Sequence, residues 1–93
     1  MDLADRSARL SWLRSLESDP VALVRLCGEE GLARAAWSIA TARCGKAGGV
    51  LPTRRVLRTV ARELAVRVGF FDALPTESRL AAECAKQGLP LAA

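Results

Sequence analysis

The chain has 93 residues, of which 51% are hydrophobic and 26% charged, and its formal net charge is +4. That composition excludes an intrinsically disordered polypeptide, and the length bounds the object at one domain able to bury only about 60 to 65% of its unfolded surface. No apolar run approaches the roughly 20 residues of a membrane-spanning helix, and the opening MDLADRSARL lacks the basic-then-apolar order of a signal peptide, so a cytoplasmic protein is expected.

Leu3, Leu10, Leu13 and Leu16 recur at helical spacing with Arg6, Arg9 and Arg14 largely opposite them, which predicts an amphipathic first helix over 3–16 capped by Asp2 or Asp5. Ser18-Asp19-Pro20 ends that helix and starts the next. Aspartate accepts from the free amides of a helix start, and proline in the first turn has no amide to leave unpaired. A short second helix carries Val21, Leu23, Val24, Leu26 and Cys27. Gly28 and Gly31 flank Glu29-Glu30 and predict a break, followed by a third helix from Glu29 or Leu32 to Arg43 with both glutamates near its positive N-terminal end. The apolar residues of that helix, Leu32, Ala33, Ala36, Trp37, Ile39, Ala40 and Cys44, cover more than one face, so it is expected to be central and to touch several neighbours. CGKAGGVLP, from Cys44 to Pro52, is the clearest loop.

The fourth helix, Thr53 to about Phe71, is expected to be the longest, with Val56, Leu57, Val60, Leu64, Val68 and Phe71 in one stripe. A turn through Asp72 to Pro75 leads to a last helix from Thr76 or Glu77 to Gln87, with Leu80, Ala81 and Cys84 inward, Gly88 as its cap and Pro90 preventing continuation. No segment shows the period-two alternation of a strand apart from short ambiguous runs such as VRVGFF. The expectation is an all-α, single-domain bundle of four to five helices spanning the whole chain.

Leu51-Pro52-Thr53 is echoed by Leu74-Pro75-Thr76. In both, proline disfavours helix for the leucine before it and threonine can cap the turn that follows, so the shared physics is helix initiation. The second stretch, LPTESRLAAE from Leu74 to Glu83, resembles the opening of winged helix-turn-helix repressors of the GntR type. The recognition helix that such a unit requires does not follow, and no DNA-contacting role is carried over. The closing Leu91-Ala92-Ala93 is similar to the tails that ATP-dependent proteases recognise, which requires those residues to be exposed.

Histidine and tyrosine are absent, the carboxylates are scattered apart from the adjacent Glu29 and Glu30, and GKAGG lacks the upstream glycine and following hydroxyl of a phosphate loop, so no catalytic residue, metal site or cofactor is expected. Cys27, Cys44 and Cys84 are widely spaced among apolar residues and are expected as free, buried thiols. Charge is distributed unevenly: residues 1–42 carry a net −1, 43–67 a net +6 and 68–93 a net −1. Arg54, Arg58 and Arg62 stand one helical turn apart with Arg55 beside them, and Arg43 and Lys46 lie in or near the preceding loop. Arg54, Arg55, Arg58, Arg62 and Lys46 are therefore the candidate partner-binding residues. The expected partner is a protein with an acidic surface, bound by a small non-enzymatic adaptor, antiactivator or inhibitor of bacterial or phage type. The alternative is a DNA- or RNA-binding regulator using the same helix, perhaps as a homodimer, although no aromatic series for base stacking accompanies it. Membrane attachment is not expected, because the apolar stripe of the fourth helix is needed for the core.

Overall fold

A computed structural model describes residues 6–44, 51–69 and 76–92, with the side chains of the first helix from Ser11 onward. Five α-helices follow one another: α1 (Arg6–Ser18), α2 (Pro20–Glu30), α3 (Leu32–Arg43), α4 (Arg54–Val68) and α5 (Glu77–Lys86). The described residues contain no strand, and no helix among them is long and apolar enough to cross a membrane. The protein is a small all-α bundle.

Local chemistry sets most of the helix ends. Asp19 accepts from the amides of Val21 and Ala22 at 3.1 and 3.3 Å, with Pro20 in the first turn of α2. The two threonines of the Leu-Pro-Thr echo do the same job: Thr53 Oγ1 accepts from Val56 N and Thr76 Oγ1 from Arg79 N, each at 3.2 Å. Pro52 and Leu57 stand at the two positions of a hydrophobic staple across the first of these caps, and both are fully buried. At the other end of α5 the amide of Gly88 donates to Ala85 O and that of Leu89 to Cys84 O, at 3.1 and 2.8 Å. Together with Gly88 at φ +73° these bonds form a Schellman motif, and Leu89 is buried against the core as that motif favours.

Three boundaries differ from expectation. The fourth helix ends at Val68, short of Phe71, because Gly69 takes the left-handed conformation (φ +83°) and closes it by donating to Ala65 O. Phe70 and Phe71 lie outside the described residues. α2 runs through Gly28 to Glu30, and the break falls at Gly31 alone. Gly31 adopts φ +85°, ψ 156°, a region open essentially only to glycine, and serves as the last cap of α2 and the first of α3. Glu29 and Glu30 therefore sit in the last turn of α2, where the helix dipole disfavours them, and not at the start of α3. Glu30 is compensated by Arg34 of α3, 4.0 Å away, whose Nε also donates to Gln87 at 3.2 Å.

The two glycines are expected to respond in opposite senses. A Cβ added at Gly28 meets nothing within 4 Å on an exposed helix face, so Gly28→Ala should stabilise by about 0.5 to 1 kcal/mol. Gly31→Ala is equally free of collisions but cannot hold its φ, and should cost about 1 to 2 kcal/mol. Urea unfolding of both variants checks this. Equal midpoint shifts would show that the helix break is not where the structure puts it.

α3 is the centre, in contact with each of the other four helices. Ala33, Ala35, Ala36, Ile39, Ala40, Thr41 and Ala42 are all buried, which accounts for a helix apolar on more than one face. Alanine is what allows neighbours to approach from several sides at once. Leu13, Leu16, Leu23, Cys27, Leu57, Val60, Leu64, Leu80 and Cys84 complete the core from the surrounding helices, and Trp12 and Trp37 both pack against it half-buried. Cys27 and Cys84 are buried free thiols, as expected, while Cys44 is only half-buried. Burial pushes both buried thiols above the ordinary value of 9.0, and the carboxylate of Glu83 pushes Cys84 further. A raised thiol pKa adds stability that is present below the unfolded value and lost as pH rises through the folded one.

The segment after α5 is docked. Trp37 Nε1 donates to Pro90 O at 2.8 Å, and the Ala92 amide donates to Pro52 O at 2.9 Å. Leu91 and Ala92 are half-buried, so recognition of Leu91-Ala92 by a protease would require this segment to undock. Ala93 lies outside the described residues.

Candidate functional site

α4 divides cleanly into two faces. Leu57, Val60, Ala61, Leu64 and Ala65 are buried at spacings of three and four, while Arg54, Arg55, Arg58, Thr59, Arg62 and Val66 are exposed. The inward stripe fixes the rotation of the helix, and that rotation sends the guanidinium groups outward. Four arginines cannot be turned inward without withdrawing five apolar residues from the core, so their exposure follows from the packing.

The four predicted arginines do not form one ridge. Arg55, Arg58 and Arg62 line a cleft of about 240 Å³ together with Thr59 and with Glu77 from the first turn of α5. Arg54 turns away toward a separate groove lined by Ala81, Ala85 and residues 88–92. The cause is the helical repeat: four residues rotate the chain by about 40° past a full turn, and α5 with its following segment packs on the side where Arg54 falls. Lys46 lies outside the described residues.

Arg43 does not join the cationic surface either. It holds Glu17 of α1 through Nε and Nη2 and Glu63 of α4 through Nη1, the last at 2.6 Å. Burial lowers its pKa, but the hydrogen bonds and charges of Glu17 and Glu63 outweigh that and raise it, so Arg43 is a fixed charge. Arg67 adds a bond to the Glu17 carbonyl oxygen. Arg43 and Arg67 thus tie the ends of α1, α3 and α4 together. The groups are partly exposed, so each pair contributes on the order of 0.2 to 1 kcal/mol.

Among the described residues, no carboxylate lies within ion-pairing distance of Arg54, Arg55, Arg58 or Arg62. Arg58 and Arg62 repel across one turn, as do Arg55 and Arg58, by a few tenths of a kcal/mol per pair. An anion placed in the cleft would relieve both repulsions. Thr59 Oγ1 donates to Arg55 O at 3.0 Å, which occupies its hydrogen, and the exposed Thr59 lines the cleft beside the arginines. Val66, in line with Arg55 and Arg62 on the helix surface, is 58% exposed. Thr59 and Val66 could have been picked out on a helical projection as members of the same face. Glu77 could not, because its place in the cleft depends on how α5 packs against α4.

Among the described residues that line it, the cleft carries no nucleophile-base pair. Those residues offer three guanidinium groups, each able to grip a carboxylate through two parallel hydrogen bonds, beside Thr59 and one carboxylate, Glu77. In comparisons with protein-family models, curated proteins and solved structures nothing matches this chain, so the site is read from its own residues alone.

Proposed function

We propose that this is a small non-enzymatic regulatory protein that acts by binding the acidic surface of another protein through Arg55, Arg58 and Arg62. The observation that carries the reading is the make-up of this face: three arginines with no ion-pair partner among the described residues line the cleft with Thr59 and Glu77, and Val66 is exposed on the same helix one turn beyond Arg62. Arginine beside small apolar groups is the composition of a protein interface, where the guanidinium supplies both charge and flat contact area. A nucleic-acid backbone would be repelled by Glu77 and would find no stacking aromatic on the described part of this face.

The test is affinity purification from nuclease-treated extracts of cells that express the protein, followed by titration of the purified partner. The triple variant Arg55→Gln, Arg58→Gln, Arg62→Gln should lose roughly 10- to 100-fold in affinity, corresponding to three exposed charge pairs. Its helix content by circular dichroism should be unchanged. Arg54→Gln, on the other groove, should bind nearly as the wild type does. Undiminished affinity in the triple variant would remove this surface from the function. A shift of duplex DNA or RNA at low salt that the triple variant abolishes, with no acidic protein recovered, would replace the reading with a nucleic-acid one.

A further inference from the structure

Arg55, Arg58 and Arg62 stand at i, i+3 and i+7 on α4, so their backbone positions are about 4.5 and 6 Å apart along the axis. Those are the intervals at which any second helix repeats residues on one of its own faces. The line of charge is flanked by the exposed Thr59 and, one turn beyond Arg62, by the exposed Val66. Glu77 of α5 lines the same cleft. The pattern is cationic along one line, weakly apolar beside it, and anionic at one point on the neighbouring helix.

We infer, building on the reading of this face as a protein-docking surface, that its occupant is an acidic amphipathic α-helix of the partner laid along α4. Carboxylates at i, i+3 and i+7 of that helix meet the three guanidinium groups, small apolar residues cover Thr59 and Val66, and one lysine or arginine faces Glu77. Charge complementarity carries the choice of sign, and the match of spacings carries the choice of a helix. A polyphosphate would satisfy the arginines but not Glu77, and would leave Val66 uncovered. The carboxylate at position 77 thus acts as a selectivity element: it disfavours a uniformly anionic ligand and favours one with an interrupted charge pattern.

Two labelled alanine-based peptides of about 18 residues, long enough to be substantially helical in water, separate the outcomes. One carries glutamates at i, i+3 and i+7 on a single face with a lysine placed for Glu77; the other has the same composition permuted around the helix. By fluorescence anisotropy at low salt the patterned peptide should bind about tenfold more tightly than the permuted one. That preference should vanish in the triple Arg→Gln variant. Glu77→Gln should weaken the lysine-bearing peptide about threefold and modestly strengthen a version with alanine in place of lysine, which is uniformly anionic. Equal binding of both peptides, lost in the triple variant, would overturn the helical occupant while leaving the acidic-protein reading intact. Binding of neither peptide, or tighter binding of inorganic polyphosphate of equal charge, would overturn both.

Discussion

Truncating Leu57 to alanine is expected to lower the folding free energy by about 3 to 4 kcal/mol, the largest effect of any single conservative change considered for this protein. Leu57 has no exposed surface and lies on the stripe of α4 that faces the core. It also sits at the fourth residue of its helix, behind the Thr53 cap and the buried Pro52, so the cavity would open beneath a helix start that is held by fixed local bonds. Such a site collapses poorly, which keeps the loss clear of the lower end of the usual range. A domain of this length has a total stability of about 5 to 14 kcal/mol. The variant should therefore unfold at a much lower urea concentration while keeping a similar dependence on denaturant. A loss below about 1 kcal/mol would mean that Leu57 is not packed as described.

How far the sequence could be read depended on the range of the interaction involved. Asp19, Thr53, Thr76, Gly69 and Gly88 set helix ends through hydrogen bonds or backbone conformations that close within a few residues. Their chemistry is visible in order along the chain, and the all-α architecture with a central third helix follows from them and from the apolar spacing. Gly28 and Gly31 show the limit: both interrupt the same helical pattern, but only Gly31 takes positive φ. A single glycine costs a helix about 1 kcal/mol, a deficit that packing of Leu23 and Cys27, both in the same helix ahead of Gly28, can offset.

The candidate site divides in the same way. Exposure of the arginines on α4 was legible, because the apolar stripe dictates which way they turn. Their grouping was not. Arg54 and Arg58 are one turn apart in sequence, yet the packing of α5 and the segment after it puts them on different grooves. Arg43 belongs to the same basic stretch, but its two carboxylate partners lie 26 residues before it and 20 after it, and only the folded chain brings them together. Glu77 joins the cleft through that same long-range packing. In this protein the sign and position of the charged helix are local information, and which charges are free to meet a partner is tertiary information.

Enlarging Ala61 to leucine should destabilise by an amount toward the upper end of the roughly 1 to 3 kcal/mol typical of overpacking. Ala61 is fully buried on α4, and the contact of α4 with α3 is the most extensive between any two helices. α3 presents Ala35, Ala36, Ala40 and Ala42, none with exposed surface, so small residues set how closely its neighbours approach. In a core packed to ordinary interior density, three added heavy atoms at the buried position 61 push neighbouring helices apart. That displacement would act on the bonds that tie the ends of α1, α3 and α4, Arg43 to Glu17 and Glu63 and Arg67 to Glu17, since their geometry is fixed by the same spacing. The cleft of Arg55, Arg58 and Arg62 lies on the outward side of α4, within one helix and against the start of α5. At temperatures where Ala61→Leu remains folded, its affinity for an acidic ligand should stay within about twofold of wild type, since residue 61 is buried in the core while Arg55, Arg58 and Arg62 are exposed on the outward face of the same helix. The triple Arg→Gln variant should show the reverse, with stability kept and binding lost. Thermal unfolding and anisotropy measured on the same samples give both quantities. If binding fell in step with stability in Ala61→Leu, the two faces of α4 would not be separable and the outward arginines would have to be regarded as part of the packing.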